Sequence, residues 1–120
     1  MTRIELPMPP SVNVMYSNAR KSRIKSPAYR TWLQEAGLLL NTQHPKPISG
    51  AVEVYIVLVA QSKHRQDADN RVKAVLDLLT THKIIEDDSS DYVKDLRVRW
   101  MDSGPACVVT ISSISKENAA

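Results

Sequence analysis

Hydrophobic residues fall in six patterned stretches along this chain. Ile4 and Leu6 alternate with polar neighbours in "RIEL", a short strand that Pro7, Pro9 and Pro10 bring to a stop. Ser26 and Pro27 supply an N-cap and a first helical residue. Tyr29, Leu33, Ala36, Gly37 and Leu40 then recur at helical spacing, which predicts a helix over about 27–42. The stretch "AVEVYIVLVA", residues 51–60, is dense in β-branched residues and apolar throughout its second half, so it predicts a central strand. Ala68, Val72, Val75, Leu76 and Leu79 mark one stripe of a second helix over about 68–81. "YVKDLRVRWM" alternates as a strand, Gly104-Pro105 turns the chain, and "ACVVTISSI" supplies the last strand. Between the first strand and the first helix, "SNARKSRIKS" has no apolar period and predicts an exposed basic loop.

The predicted order is β-α-β-α-β-β. It implies a single α+β domain over 1–120, with a four-stranded mixed sheet packed on two helices, an antiparallel hairpin of the last two strands, and a frayed tail over 113–120. Composition agrees with a globular chain at 42% hydrophobic residues, and the lack of any Phe puts the core on Val, Leu and Ile. Cys107 is the one cysteine, so no internal disulfide is possible and no Cys/His cluster suggests zinc. No apolar run approaches the roughly 18 residues of a membrane span, and no signal-peptide pattern opens the chain. These features predict a protein of the reducing cytoplasm with no membrane partner.

Charge sharpens the picture. Sixteen Lys and Arg stand against thirteen Asp and Glu, giving a net charge of +3. Arg20, Lys21, Arg23, Lys25 and Arg30 share one stretch without an acid, while most acids lie beyond position 66. That separation suits a surface holding a phosphate chain beside a site holding a cation.

The acids collect in "QDADNRVKAVLDLLTTHKIIEDD", residues 66–88. Asp67 and Asp69 open the second helix, where carboxylates serve equally as an N-cap and a complement to the helix dipole. "EDDSSD" reads equally as a solvated turn. The other reading is a metal site. Asp67 lies where a central strand's loop meets the helix, and the chain after the helix can return Asp87 or Asp88 toward the sheet. Carboxylates that converge repel one another unless a divalent ion intervenes, and all-oxygen ligands suit Mg²⁺ or Mn²⁺. Lys73, four residues after Asp69, is placed either for a surface ion pair with Asp69 or Asp77 or to hold a phosphate.

"DADNRVKAVLDLL" followed by "EDD" resembles the D-x-D-N-x-x-K-x-x-x-D…D-D signature of the RusA family of Holliday junction resolvases. The opening "LPMPPSVNVMY", with its proline pair, Ser11 and Asn13, is similar to that family's N-terminal motif. The resemblance implies a Mg²⁺-dependent homodimeric endonuclease, with Mn²⁺ as a substitute, that makes paired symmetric nicks across a four-way DNA junction. It puts catalytic and metal-binding carboxylates at Asp67, Asp69 and Asp88 and an essential lysine at Lys73. Asn70 and Asp77 match the motif in supporting roles. Gln66 departs from the arginine that some members carry before the first aspartate.

In this reading Arg20, Lys21, Arg23, Lys25, Lys63, Arg65 and Asn70 contact DNA, and the charged contacts weaken steeply with salt. The expected activity is junction resolution in recombination and repair, leaving 5′-phosphate and 3′-hydroxyl ends, in a bacterial or phage-encoded protein. A non-catalytic DNA-binding module and a small Mg²⁺-dependent nucleotide phosphohydrolase are the alternatives. Ser89 and Ser90 have no neighbouring histidine base, and His44, His64 and His82 are scattered, so nucleophilic serine chemistry has no support.

Overall fold

The computed structural model describes residues 1–19, 22–60 and 69–114, and for residues 18, 19, 22 and 69 it describes the backbone alone. Six strands and two helices follow in the order β1 (Thr2–Leu6), β2 (Tyr16–Ala19), β3 (Ser22–Lys25), α1 (Pro27–Gln43), β4 (Val52–Val59), α2 (Asp69–Thr81), β5 (Val93–Met101) and β6 (Cys107–Ser113), with a 3₁₀ turn at Val12–Val14. The predicted α+β architecture is present. Four strands form one mixed sheet in the order β1-β6-β4-β5, and β2 and β3 form a separate ribbon.

β4 is central, as its apolar run requires. Val52, Val54, Ile56 and Leu58 point into the core, and each is at most 1% exposed. Burying each such side chain stabilises the fold by about 1.5–3 kcal/mol. β4 pairs antiparallel with β6 and parallel with β5.

The expected hairpin of the last two strands does not form, because β6 inserts between β1 and β4. Side chains explain the choice. Cys107, Val109 and Ile111 of β6 are fully buried, as an inner strand demands, whereas β5 carries Lys94, Asp95, Arg97 and Arg99 and stays at the edge.

A second departure is the basic stretch before α1, which is a β-ribbon. Tyr16 pairs with Lys25 and Asn18 with Arg23. A ribbon this polar has no apolar face of its own to give a period of two. Its anchor is Tyr16, whose ring meets Tyr29 of α1 edge-on at 5.7 Å and 70°.

α1 begins as its sequence predicts. Ser26 Oγ accepts from the Tyr29 N–H at 3.1 Å, and Pro27 follows as the first helical residue. Tyr29, Trp32, Ala36, Gly37 and Leu40 are buried. A Cβ added at Gly37 would lie 3.4 Å from His82 Nε2, so Gly37 lets α1 pack against the residue that follows α2. α2 buries Val72, Ala74, Val75, Leu78 and Leu79.

Register fixes which end of the sheet each helix terminus occupies. Leu6, Cys107 and Leu58 stand in line across three strands at one end. There Arg71, in the first turn of α2, donates from Nη1 to the Pro9 carbonyl at 2.8 Å. At the other end the Val52 N–H donates to the Tyr92 carbonyl, and the Ile48 N–H to the Ile84 carbonyl just past α2. Helix α2 thus starts at the Leu58 end and finishes at the Val52 end.

Candidate functional site

Asp69, Lys73 and Asp77 recur every four residues and share one face of α2. Lys73 Nζ lies 3.5 Å from Asp77 Oδ2, with 51% of the lysine side chain exposed. Asn70 is half-buried in the first turn. Asp67, Lys63 and Arg65 lie outside the described residues, in sequence between β4 and α2, as do Arg20 and Lys21 in the ribbon's connection.

Asp88 sits elsewhere. It lines a groove of about 380 Å³ with Asp77 and Thr81 of α2, His82 just past that helix, Tyr29 of α1, and Tyr16 and Lys25 of the ribbon. Along α2, at roughly 1.5 Å per residue, Asp77 is about 12 Å from Asp69 and Thr81 about 18 Å from it. Carboxylates that share one Mg²⁺ place their oxygens within about 4 Å of each other, twice the ligand distance. One chain therefore brings Asp88 to Asp77 and the far end of α2, and does not bring it to Asp69. Among the described residues no three His, Cys, Asp or Glu side chains gather to hold an ion.

The environment divides the two acids after α2. Asp87 accepts hydrogen bonds from the Ser89 hydroxyl first and the Asp88 backbone N–H second, and these hold its carboxyl below its ordinary range. Such bonding is common for an aspartate in a turn. Asp88 is left exposed toward the groove. Across the groove, burial first, then the Asp77 charge and contact with Tyr16, push the Tyr29 hydroxyl up to about 12, so it stays neutral. The ribbon supplies cations on this side. Arg23 stacks 4.6 Å from the Tyr16 ring centroid, and Lys25 lies 5.9 Å from that of Tyr29.

The family model of the endodeoxyribonuclease RusA matches residues 7–112. The chain belongs to the RusA family. The match takes in the proline segment, the ribbon, both helices and the acidic turn, so the protein is an endodeoxyribonuclease over nearly its whole length. No curated protein matches the chain.

Two of the groove residues, Tyr16 and Tyr29, carried no site signal in the sequence, because their meeting depends on the ribbon folding back against α1. Asp77 was legible there from the motif and from its spacing of four from Lys73.

Proposed function

We propose that this endonuclease resolves four-way DNA junctions as a homodimer in which each active site draws acids from both subunits. One observation carries the reading: Asp69 and Asp88 occupy opposite ends of α2 and of the sheet. A twofold axis that sets two copies antiparallel puts the Asp88 end of one beside the Asp69 end of the other. Asp67 and Asp69 would then hold Mg²⁺, or Mn²⁺ in its place, together with Asp88 of the partner subunit. Their carboxylate oxygens are the hard ligands these ions take. The ion, when bound, supplies a nucleophilic water at neutral pH and offsets charge gathering on the phosphate.

The chain's own residues do the rest. Lys73 holds the scissile phosphate as a point charge, and Asp77 orients its ammonium. Arg20, Lys21, Arg23, Lys25, Lys63, Arg65 and Asn70 track the DNA backbone toward the cut. The water oxygen bonds to phosphorus, the P–O3′ bond breaks, and a proton passes to the leaving 3′-oxygen. A 5′-phosphate and a 3′-hydroxyl remain for ligase to seal. Two such sites per dimer nick opposed strands symmetrically, as recombination and repair in the cytoplasm require.

Complementation tests the arrangement on a strand-labelled synthetic junction. Asp69→Asn and Asp88→Asn should each bind the junction and fail to cut it in Mg²⁺. Mixed and allowed to exchange subunits, they should regain one intact site per heterodimer and nick one strand. Sites built within single chains would leave the mixture inactive. Cleavage that survives EDTA or the Asp69→Asn change would remove the metal reading, leaving the acids as helix and turn punctuation.

A further inference from the structure

The two edges of the sheet are finished differently. At β1 the Gln43 side chain seals the outer edge, its Oε1 accepting from the Glu5 N–H at 2.7 Å and its Nε2 donating to the Glu5 carbonyl at 2.8 Å. Nearby the Thr2 hydroxyl donates to the Lys46 carbonyl. β5 has no such seal. Among the described residues, no strand or side chain is hydrogen-bonded to its outer side. Lys94 through Arg97 are exposed, Leu96 at 42% and Met101, the last residue of the strand, at 43%. A nine-residue strand of this kind is a template for another strand.

We propose that this edge pairs antiparallel with β5 of a second copy, centred on Leu96, so that two sheets become one of eight strands. Cross-strand partners share a face, so a twofold pairing must centre on a residue. Centring on Arg97 sets that arginine against itself, and centring on Val98 sets Arg97 against Arg99. Centring on Leu96 sets Leu96 against Leu96 and places two Asp95–Arg97 pairs symmetrically about it, with no like charges opposed. In the single chain Arg97 lies on the outer face with its guanidinium 5.0 Å from the Tyr55 ring centroid of β4, and pairing would swing it across to Asp95 of the second copy.

The competing surface is the α1 groove floored by Leu38, Leu39 and Pro105. Glu5 and Glu35 are the charged residues of its lining, so pairing this groove with itself about a twofold would oppose like charges. The β5 interface deepens the two-subunit site proposed above and rests on it for its purpose. Antiparallel strands bring the Val52 end of one sheet, with Asp88, alongside the Leu58 end of the other.

Cysteine trapping tests the interface in the full chain. Native Cys107 is fully buried, so it stays silent. Residues directly opposed across a strand pair have Cβ atoms about 4.5–5.5 Å apart, near enough for a disulfide with slight adjustment. Leu96→Cys with diamide should give a covalent dimer, whereas Leu38→Cys should not. Asp95→Arg should weaken dimerisation at least about tenfold in sedimentation, and Asp95→Arg with Arg97→Asp should restore it. A dimer that leaves Leu96→Cys uncrosslinked, or that the charge swap fails to restore, overturns the interface. If Asp69→Asn and Asp88→Asn still complement in that case, the two-subunit site stands on another interface. If Leu96→Cys crosslinks and complementation fails, the interface stands and the shared site falls.

Discussion

The Lys73 ammonium lies 3.5 Å from Asp77 with half its side chain in water, a geometry that gives little stability. Exposed pairs of this kind contribute about 0.3–0.5 kcal/mol. Lys73→Met should therefore shift urea unfolding by no more than about 0.5 kcal/mol. If Lys73 faces the phosphate, the same change should lower junction cleavage by about 10²-fold or more while binding persists. Unchanged cleavage would return Lys73 to an ordinary helix-surface residue. Both roles were legible in the sequence, because spacing by four is visible in a string of letters. The distance to Asp88 was not. Gaps along the chain say how far a residue can reach, and only the crossover from β4 through α2 to β5 says which end of the sheet it reaches.

At the scale of elements, local chemistry was legible and neighbour choice was not. Ser26 and Pro27 announced the start of α1, and the apolar run of β4 announced a central strand. The order β1-β6-β4-β5 turned on which of the last two strands could take an inner place: β6 buries Cys107, Val109 and Ile111, whereas β5 keeps Arg97 and Arg99 exposed at the edge. The ribbon was missed because its order comes from Tyr16 meeting Tyr29, a contact without sequence spacing. The seal on β1 is of the same kind, a side-chain amide imitating a neighbouring strand across 38 positions of sequence. Gln43→Ala should leave the Glu5 N–H and carbonyl without it and lower stability by about 1–3 kcal/mol. Thermal melting measures that loss, and amide exchange at Glu5 should speed up with it.

The whole molecule has an alkaline limit set by two buried acids. Burial pushes the Cys107 thiol from 9.0 up to about 12, and burial beside Asp77 pushes the Tyr29 hydroxyl from 10.0 to about 12. Once unfolded, both groups lose their protons near the ordinary values, while the folded chain keeps them until about 12. Their effect on stability is therefore constant below about pH 9 and erodes between 9 and 12. Each proton steepens that fall by about 1.4 kcal/mol per pH unit. Chemical denaturation at stepped pH should show the decline, with a shallower onset in Cys107→Ala. A stability flat to pH 11 would mean that these groups ionise in place.

The two tryptophans stand in the core and on the edge strand proposed to pair. Trp32 is buried in the core, its Nε1 donating to the Pro7 carbonyl at 3.0 Å. Trp100 is half-buried near the end of the edge strand, where the proposed pairing sets it against Tyr92 of the partner subunit. The chain thus carries two optical reporters with separate duties. Emission from Trp32 should follow unfolding and, with subunits paired through β5 as proposed, emission from Trp100 should follow their meeting and parting, so that assembly could be watched on unlabelled protein during junction cleavage.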